Sequence, residues 1–197
     1  MVRILSKKGK KMKTIKLEVY SYSELSKANK EKIKDDIIQI LAEVYDSDFI
    51  IDIFREKLLS FGFDNIDFSF NISYSQGDGL SFEGNISESD AANLVGLNSD
   101  DYDGDSLIVI ERINSRYSHS NSVSSYSESG NKDLEDKFEN WRVSKCNEFF
   151  DELVKDYEFA TGEEAFNNYI EANSPEYVII NNNIIEIPIL SPTSKNI

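Results

Sequence analysis

The sequence predicts an α+β fold: a mostly antiparallel sheet of about six to seven strands, packed by two N-terminal helices and by a long and a short helix near the C-terminus. Three observations lead there. Residues 66–74, 80–86 and 115–127 alternate apolar and polar side chains with a period of two, the pattern of strands with one buried face. Apolar residues recur at helical spacing over 26–45, after Phe49, and over 132–158. The helical stretches also come in blocks, without the strand–helix alternation of a parallel sheet.

Each element has a local reason. Ile15, Leu17 and Val19 alternate with polar residues and predict a first strand over 14–20. Ile33, Ile37, Ile40, Leu41 and Val44 form the apolar stripe of a first helix, and Asp46-Ser47-Asp48 breaks it. A second helix buries Ile50, Ile53, Phe54 and Leu58, and Gly62 ends it. Next comes a hairpin built around Ser75-Gln76-Gly77-Asp78-Gly79, whose two glycines allow backbone conformations that a side chain resists. Residues 87–106 are polar and acidic and read as the least ordered interior segment. A strong strand follows over 107–113, then alternation in which Tyr117, His119, Asn121 and Val123 share a face. The long helix carries Leu134, Phe138, Trp141, Phe149, Leu153 and Tyr157 as its core stripe. Thr161 and Glu164 read as a capping box opening a short helix that Asn173 and Pro175 close. A final hairpin joins 177–180 to 184–189.

At 197 residues the chain suits one domain, predicted over 14–190, with tails at 1–13 and 191–197. An apolar share of 40% with only three prolines marks a folded protein, not a disordered linker. The single Cys146 excludes an intramolecular disulfide framework and fits a reducing compartment. The sequence shows neither a membrane-spanning apolar run nor an apolar core behind the basic N-terminus, so the expected location is cytoplasmic. Arg3, Lys7, Lys8, Lys10, Lys11, Lys13 and Lys16 have no acid among them. Met12-Lys-Thr-Ile-Lys reads as a natural start, which makes 1–11 an upstream extension or a basic arm. Beyond residue 16, 14 basic side chains face 36 acidic ones, a net charge of −22. That balance repels nucleic-acid backbones and argues against direct DNA or RNA binding. It suits either simple solubility or attraction to the basic groove of a nucleic-acid-binding protein.

Two candidate sites emerge. Gln76, Asp78, Tyr117 and His119 lie on or beside predicted strands, with Arg112 and Arg116 bracketing them. If the hairpins are neighbours, this set offers hydrogen bonds, an acid–base imidazole and positive charge to a polar or nucleotide-like ligand. The alternative is a structural turn with side-chain caps and a histidine on the sheet face. The second candidate is Asp100, Asp101, Asp103 and Asp105, clustered around Gly104. Their spacing resembles part of a calcium loop but lacks its terminal Glu, so a solvated acidic loop, or a partner-binding one, is favoured over a metal site. One Cys and one His give zinc little support, and phosphate-loop, dinucleotide and nucleophile-elbow motifs are missing. No catalytic residue and no cofactor are assigned.

Tyr22-Ser-Glu-Leu-Ser26, the stretch 68–84 around SQGDG, Tyr117-Ser-His119, and Asp156 through Glu164 to Ile170-Glu-Ala-Asn173 and Tyr177 together resemble a family of small phage and prophage proteins of unassigned function. Some of its members are labelled antitoxins of a toxin–antitoxin stability system. The resemblance spans most of 14–185, with Gly162 where the family usually has serine and a longer acidic insertion before Leu107. It implies a viral accessory protein acting inside the host cell. With the acidic body, it leads to the first expectation: a non-enzymatic protein that binds a host defence nuclease or similar nucleic-acid-binding effector, in the manner of an anti-CRISPR. A small-ligand site at the SQGDG hairpin is the second reading. An antitoxin-like oligomer pairing through exposed hairpin edges is the third.

Overall fold

A computed structural model describes residues 17–73, 75, 77–114, 116–180 and 182–187. In chain order its elements are β1 (Val19–Ser21), α1 (Lys27–Glu43), α2 (Asp48–Ser60), β2 (Asp64–Asn71), β3 (Gly79–Ser87), α3 (Glu88–Leu94), β4 (Leu107–Arg112), β5 (Val123–Ser127), α4 (Lys132–Thr161), α5 (Glu163–Asn173), β6 (Glu176–Ile180) and β7 (Asn183–Ile187). The α+β class holds. The single sheet does not: the strands form a three-stranded antiparallel sheet, β1-β6-β7, and a four-stranded one, β2-β3-β4-β5. The described residues cluster into two compact units, Asp46–Glu158 and the residues before and after it. The two N-terminal helices therefore do not share a sheet, because α1 and α2 fall in different units. Alternation identifies a strand but not its partner, and the pairing of Val19 with Val178 leaves no trace in local periodicity.

In the terminal unit, Leu25, Ile33, Ile37, Phe166 and Tyr177 form the core, with Tyr22 edge-on to Phe166 at 5.5 Å. Ser26 caps α1 by accepting the Asn29 amide at 3.3 Å. The capping box expected at Thr161 is not formed: Thr161 is the buried last residue of α4, and Gly162 stands at the cap of α5 with no side-chain bond.

In the Asp46–Glu158 unit, β3 is an inner strand. Phe82 faces Phe68 on β2, Gly84 faces Ile110 and Ile86 faces Ile108 on β4. These apolar residues pack with Phe54 and Leu58 of α2 and with Leu134, Phe138, Cys146, Phe149 and Leu153 of α4. Phe54 stacks on Phe149 at 4.4 Å. Gly62, at φ +94, closes α2 as expected. Residues 87–106 prove more ordered than their polarity suggests. Ser87 accepts the Asp90 amide at 3.1 Å and starts α3, whose Ala91 and Ala92 are fully buried. Alanine fits a helix and a tight core alike, but it adds little to an apolar count.

Residues 117–122 also depart from the expected strand. They end in a 3-10 turn, Ser120–Ser122, and only Val123–Ser127 pairs with β4. Two causes are visible. The Asn121 amide bonds to His119 Nδ1 at 3.1 Å and the Ser122 amide to the His119 carbonyl at 2.8 Å, local bonds that compete with a ladder. The second is Arg142, which has no exposed surface and sits in the core stripe of α4. Its guanidinium donates to the Ser120 carbonyl at 2.9 Å, the Val123 carbonyl at 3.2 Å and both carboxylate oxygens of Glu139. Glu139 in turn accepts from the amide and hydroxyl of Ser125 at 3.2 and 2.6 Å. Burial opposes the charge on Glu139, but the Arg142 and Ser125 donors more than offset it and hold the carboxyl below the ordinary carboxylate range. Removing Arg142 would leave two carbonyls and a carboxylate without their donor. Arg142→Ala is expected to destabilise the Asp46–Glu158 unit by about 3–5 kcal/mol, read from its urea unfolding transition. A loss below about 1 kcal/mol would show that the pair does not anchor β5.

Candidate functional site

The SQGDG hairpin is organised by its own aspartate. Asp78 Oδ1 accepts from Asn71 Nδ2, Ser73 Oγ and Ser75 Oγ at 3.1, 2.7 and 3.0 Å. Its Oδ2 accepts the backbone amides of Ser73 and Ser75 at 2.8 and 2.9 Å. Partial burial works against the charge, yet the serine donors overcome it and lower the carboxyl to about 2. Five donors leave this carboxylate little capacity for a substrate proton or a metal. Gln76 lies outside the described residues.

The two predicted hairpins do meet, through glycines. A Cβ on Gly77 would stand 3.0 Å from the Tyr117 ring, and one on Gly79 would stand 2.4 Å from His119 Cβ and 2.6 Å from its Cα. The backbone of the β2–β3 hairpin thus lies directly against the Tyr117–His119 segment. Tyr117 stacks on His119 at 5.8 Å with the rings 17° apart, and the Arg116 guanidinium lies 5.4 Å from the Tyr117 centroid. His119 Nδ1 accepts the Asn121 amide, so the neutral ring carries its proton on Nε2. Arg112 donates through Nε to Glu83 at 2.7 Å and through Nη1 to the Tyr117 carbonyl at 3.4 Å.

The fold therefore brings Asp78, Arg112, Arg116, Tyr117 and His119 into one neighbourhood. It engages the Asp78 carboxylate, Nε and Nη1 of Arg112 and Nδ1 of His119 with neighbouring side chains and backbone, as the alternative of a capped structural turn implies. The acidic loop is similar in part. Asp101 accepts from Asn98 Nδ2 at 3.2 Å, and Asp103 accepts the Asp105 amide and the Ser106 hydroxyl at 3.0 and 3.1 Å. Asp100 and Asp105 are exposed, with no side-chain partner among the described residues. Among those residues no group of three or more His, Cys, Asp or Glu is placed to hold a metal ion, and no helix is long and apolar enough to cross a membrane.

Sequence reasoning missed the two buried charges that fix this region. Arg142 carries the segment after His119. Glu88, 1% exposed, accepts from the Ser127 hydroxyl at 2.5 Å and from the Ser129 amide and hydroxyl at 3.2 and 2.8 Å, tying α3 to the end of β5. The available signal for Arg142 is its place four residues from both Phe138 and Cys146 on an apolar stripe. A shallow hollow on α2, lined by Phe49, Asp52, Ile53, Glu56, Lys57 and Ser60, contains none of these groups. Comparison with family models, with curated proteins and with solved structures finds no match.

Two outcomes follow from this geometry. The folded pKa of Asp78 lies below its unfolded value of about 3.9, so its contribution is complete above that value and is lost as pH falls through about 2. The protection factors of the Ser73 and Ser75 amides, their exchange rates relative to the intrinsic rate at each pH, should therefore hold to about pH 4 and fall below it. In Asp78→Asn they should be lowered throughout, because one accepting oxygen is replaced by an NH2 group that faces the same donors. Gly79→Ala forces a methyl onto the His119 backbone and should destabilise the sheet unit by about 1–3 kcal/mol, with changed His119 ring resonances in NMR. Wild-type stability in this variant would place the two hairpins apart.

Proposed function

We propose that this chain acts by binding, and that the acidic exterior of its Asp46–Glu158 unit engages a basic host protein, inhibiting a nucleic-acid-binding effector such as a defence nuclease. The observation that carries this reading is the distribution of charge. The unit holds 25 acidic and nine basic side chains, a net of −16, while the rest of the chain holds 11 and 12. Part of this charge follows the sheet. Asp67 and Glu83 face each other across β2 and β3, and Glu111 lies one position beyond the Gly84–Ile110 pair on β4. Carboxylates spaced over a rigid sheet and an adjoining loop can stand in for phosphates, with long-range steering that weakens as salt screens it. The engagement of Asp78 and His119 within their own loops favours binding over catalysis at the hairpin. The resemblance to phage and prophage proteins favours an accessory role in an infected cell.

The test starts from affinity capture in host lysate and proceeds to the purified partner. The expected result is a nucleic-acid-binding protein whose DNA binding is blocked and whose affinity for this chain falls steeply with salt. Replacing Asp100, Asp101, Asp103 and Asp105 together by Asn should weaken that affinity about tenfold and flatten the salt dependence, the sum of four exposed contacts of a few tenths of a kcal/mol each. Asp78→Asn should leave it unchanged. Capture of partners with no nucleic-acid-binding activity, or binding indifferent to salt, would overturn the reading.

A further inference from the structure

A strand at the margin of a sheet presents unpaired amides and carbonyls, and three of the four margins here are defended against pairing. β1 is three residues long, and its Ser21 amide is taken by Glu24 at 2.8 Å. β2 carries Asp64 and Asp67, and its ladder slips between them at Asn65, φ +55. On β5 the Ser125 amide donates to Glu139. β7 is different. Among the described residues it pairs only with β6, in unbroken register over all five residues. Three of the five are isoleucine, and Glu186 is its single charge.

The register of the β6–β7 hairpin says which groups are left over. Ile180 pairs with Asn183 across a two-residue turn, and the pair flanking such a turn is a hydrogen-bonded one. Alternation then makes Val178–Ile185 and Glu176–Ile187 hydrogen-bonded pairs as well. The amides and carbonyls of Ile184 and Glu186 therefore point away from β6, two donors and two acceptors on one edge. The side chains are sorted too. Tyr20, Tyr177 and Ile184 pack in the core of the terminal unit. Val19, Val178 and Ile185 are cross-strand neighbours in one row on the opposite face, and Ile185 ends that row 47% exposed.

We propose that β7 pairs with β7 of a second copy of this chain, antiparallel about a two-fold axis at Ile185, so that two three-stranded sheets join into one of six. Centring on Ile185 sets Ile184 opposite Glu186 in both directions, and their outward backbone groups bond reciprocally. All five residues of β7 take part, with Asn183 facing Ile187. A shift of two residues either way leaves only three paired, and one of those shifts sets Glu186 against its own copy, a like-charge pair. A shift of one sets core-side against outer-side chains. In the centred register Ile185 meets Ile185 as a close, non-hydrogen-bonded pair, and the valine–isoleucine row doubles in length. The interface belongs to the terminal unit and stands or falls independently of the acidic-surface reading.

Sedimentation equilibrium of the full chain should show a monomer–dimer equilibrium, a weak one because five residues a side make a small interface. Amide exchange at Ile184 and Glu186 should slow as protein concentration rises, while Ile185 and Ile187, bonded to β6, should change less. Ile185→Lys puts two ammonium groups face to face and should raise the dimer Kd about tenfold or more. It should leave the fold intact, since Ile185 is half exposed in the single chain. Ile185→Cys should give a disulfide-linked dimer under mild oxidation and Ile187→Cys should not, because only position 185 meets itself. The native Cys146 is buried and does not compete. A monomer at every concentration, dimerisation untouched by Ile185→Lys, cross-linking through Ile187 in preference to Ile185, or a β7 edge filled only by another protein's strand would overturn the proposal.

Discussion

A guanidinium with no exposed surface must find a protein acceptor for each of its five N–H groups, and Arg142 finds them on both sides of a packing interface. Glu139, one turn away on α4, takes two; the Ser120 and Val123 carbonyls take two more; the Cys146 sulfur, at 3.9 Å, lies against the last. The helix thereby reaches across the core to grip the backbone on either side of the turn that opens β5. Hydrophobic packing of Phe138 and Phe149 would hold the sheet to the helix, but an apolar contact has no direction and tolerates sliding. The charged fork fixes where along the helix β5 must sit. Burial pushes the neighbouring Cys146 thiol up to about 11 against the opposing pull of the Arg142 charge, far from the range of a reactive cysteine.

What depends on that grip is the segment carrying Tyr117 and His119. With Ser120 held from below by Arg142, His119 is set against Gly79, and the β2–β3 hairpin gains a wall. The hairpin is closed from the other side by Asp78, which gathers Asn71, Ser73 and Ser75 around one carboxylate. Both devices are polar, and both point inward. The residues with the richest chemistry in this part of the chain therefore serve first to define its shape. That is why a convergent cluster here does not by itself make an active centre.

Much of this was legible in the sequence. The α2 stripe ending at Gly62, the β2–β3 hairpin and the long apolar stripe of α4 rest on local periodicity and turn chemistry, which the chain displays openly. The proximity of the SQGDG loop to Tyr117 and His119 was readable only as a condition, since nothing local says which strands pair. Three features lay beyond reach for separate physical reasons. The division into two sheets depends on pairing between chain ends, as with Tyr20 and Tyr177. Helix α3 is short and built on alanine, so its burial hardly registers in an apolar pattern. The strand expected over 117–122 is broken by Arg142, and a charged residue in a core stripe looks like a surface position until its partners are known.

The same contrast between inward and outward polar groups bears on the acidic surplus. Inside the unit, each buried charge has donors or acceptors that account for it: Glu88 by Ser127 and Ser129, Glu139 by Arg142. Outside, the arrangement is not one that stability would select. Asp67 and Glu83 stand directly opposite on neighbouring strands, a like-charge pairing that weakens a sheet, and only Glu83 has a cation to relieve it, in Arg112. Solubility needs a modest net charge of either sign, with the two signs interspersed. A unit that instead concentrates one sign, with like charges facing each other on neighbouring strands, is the feature on which the proposed partner-binding reading rests.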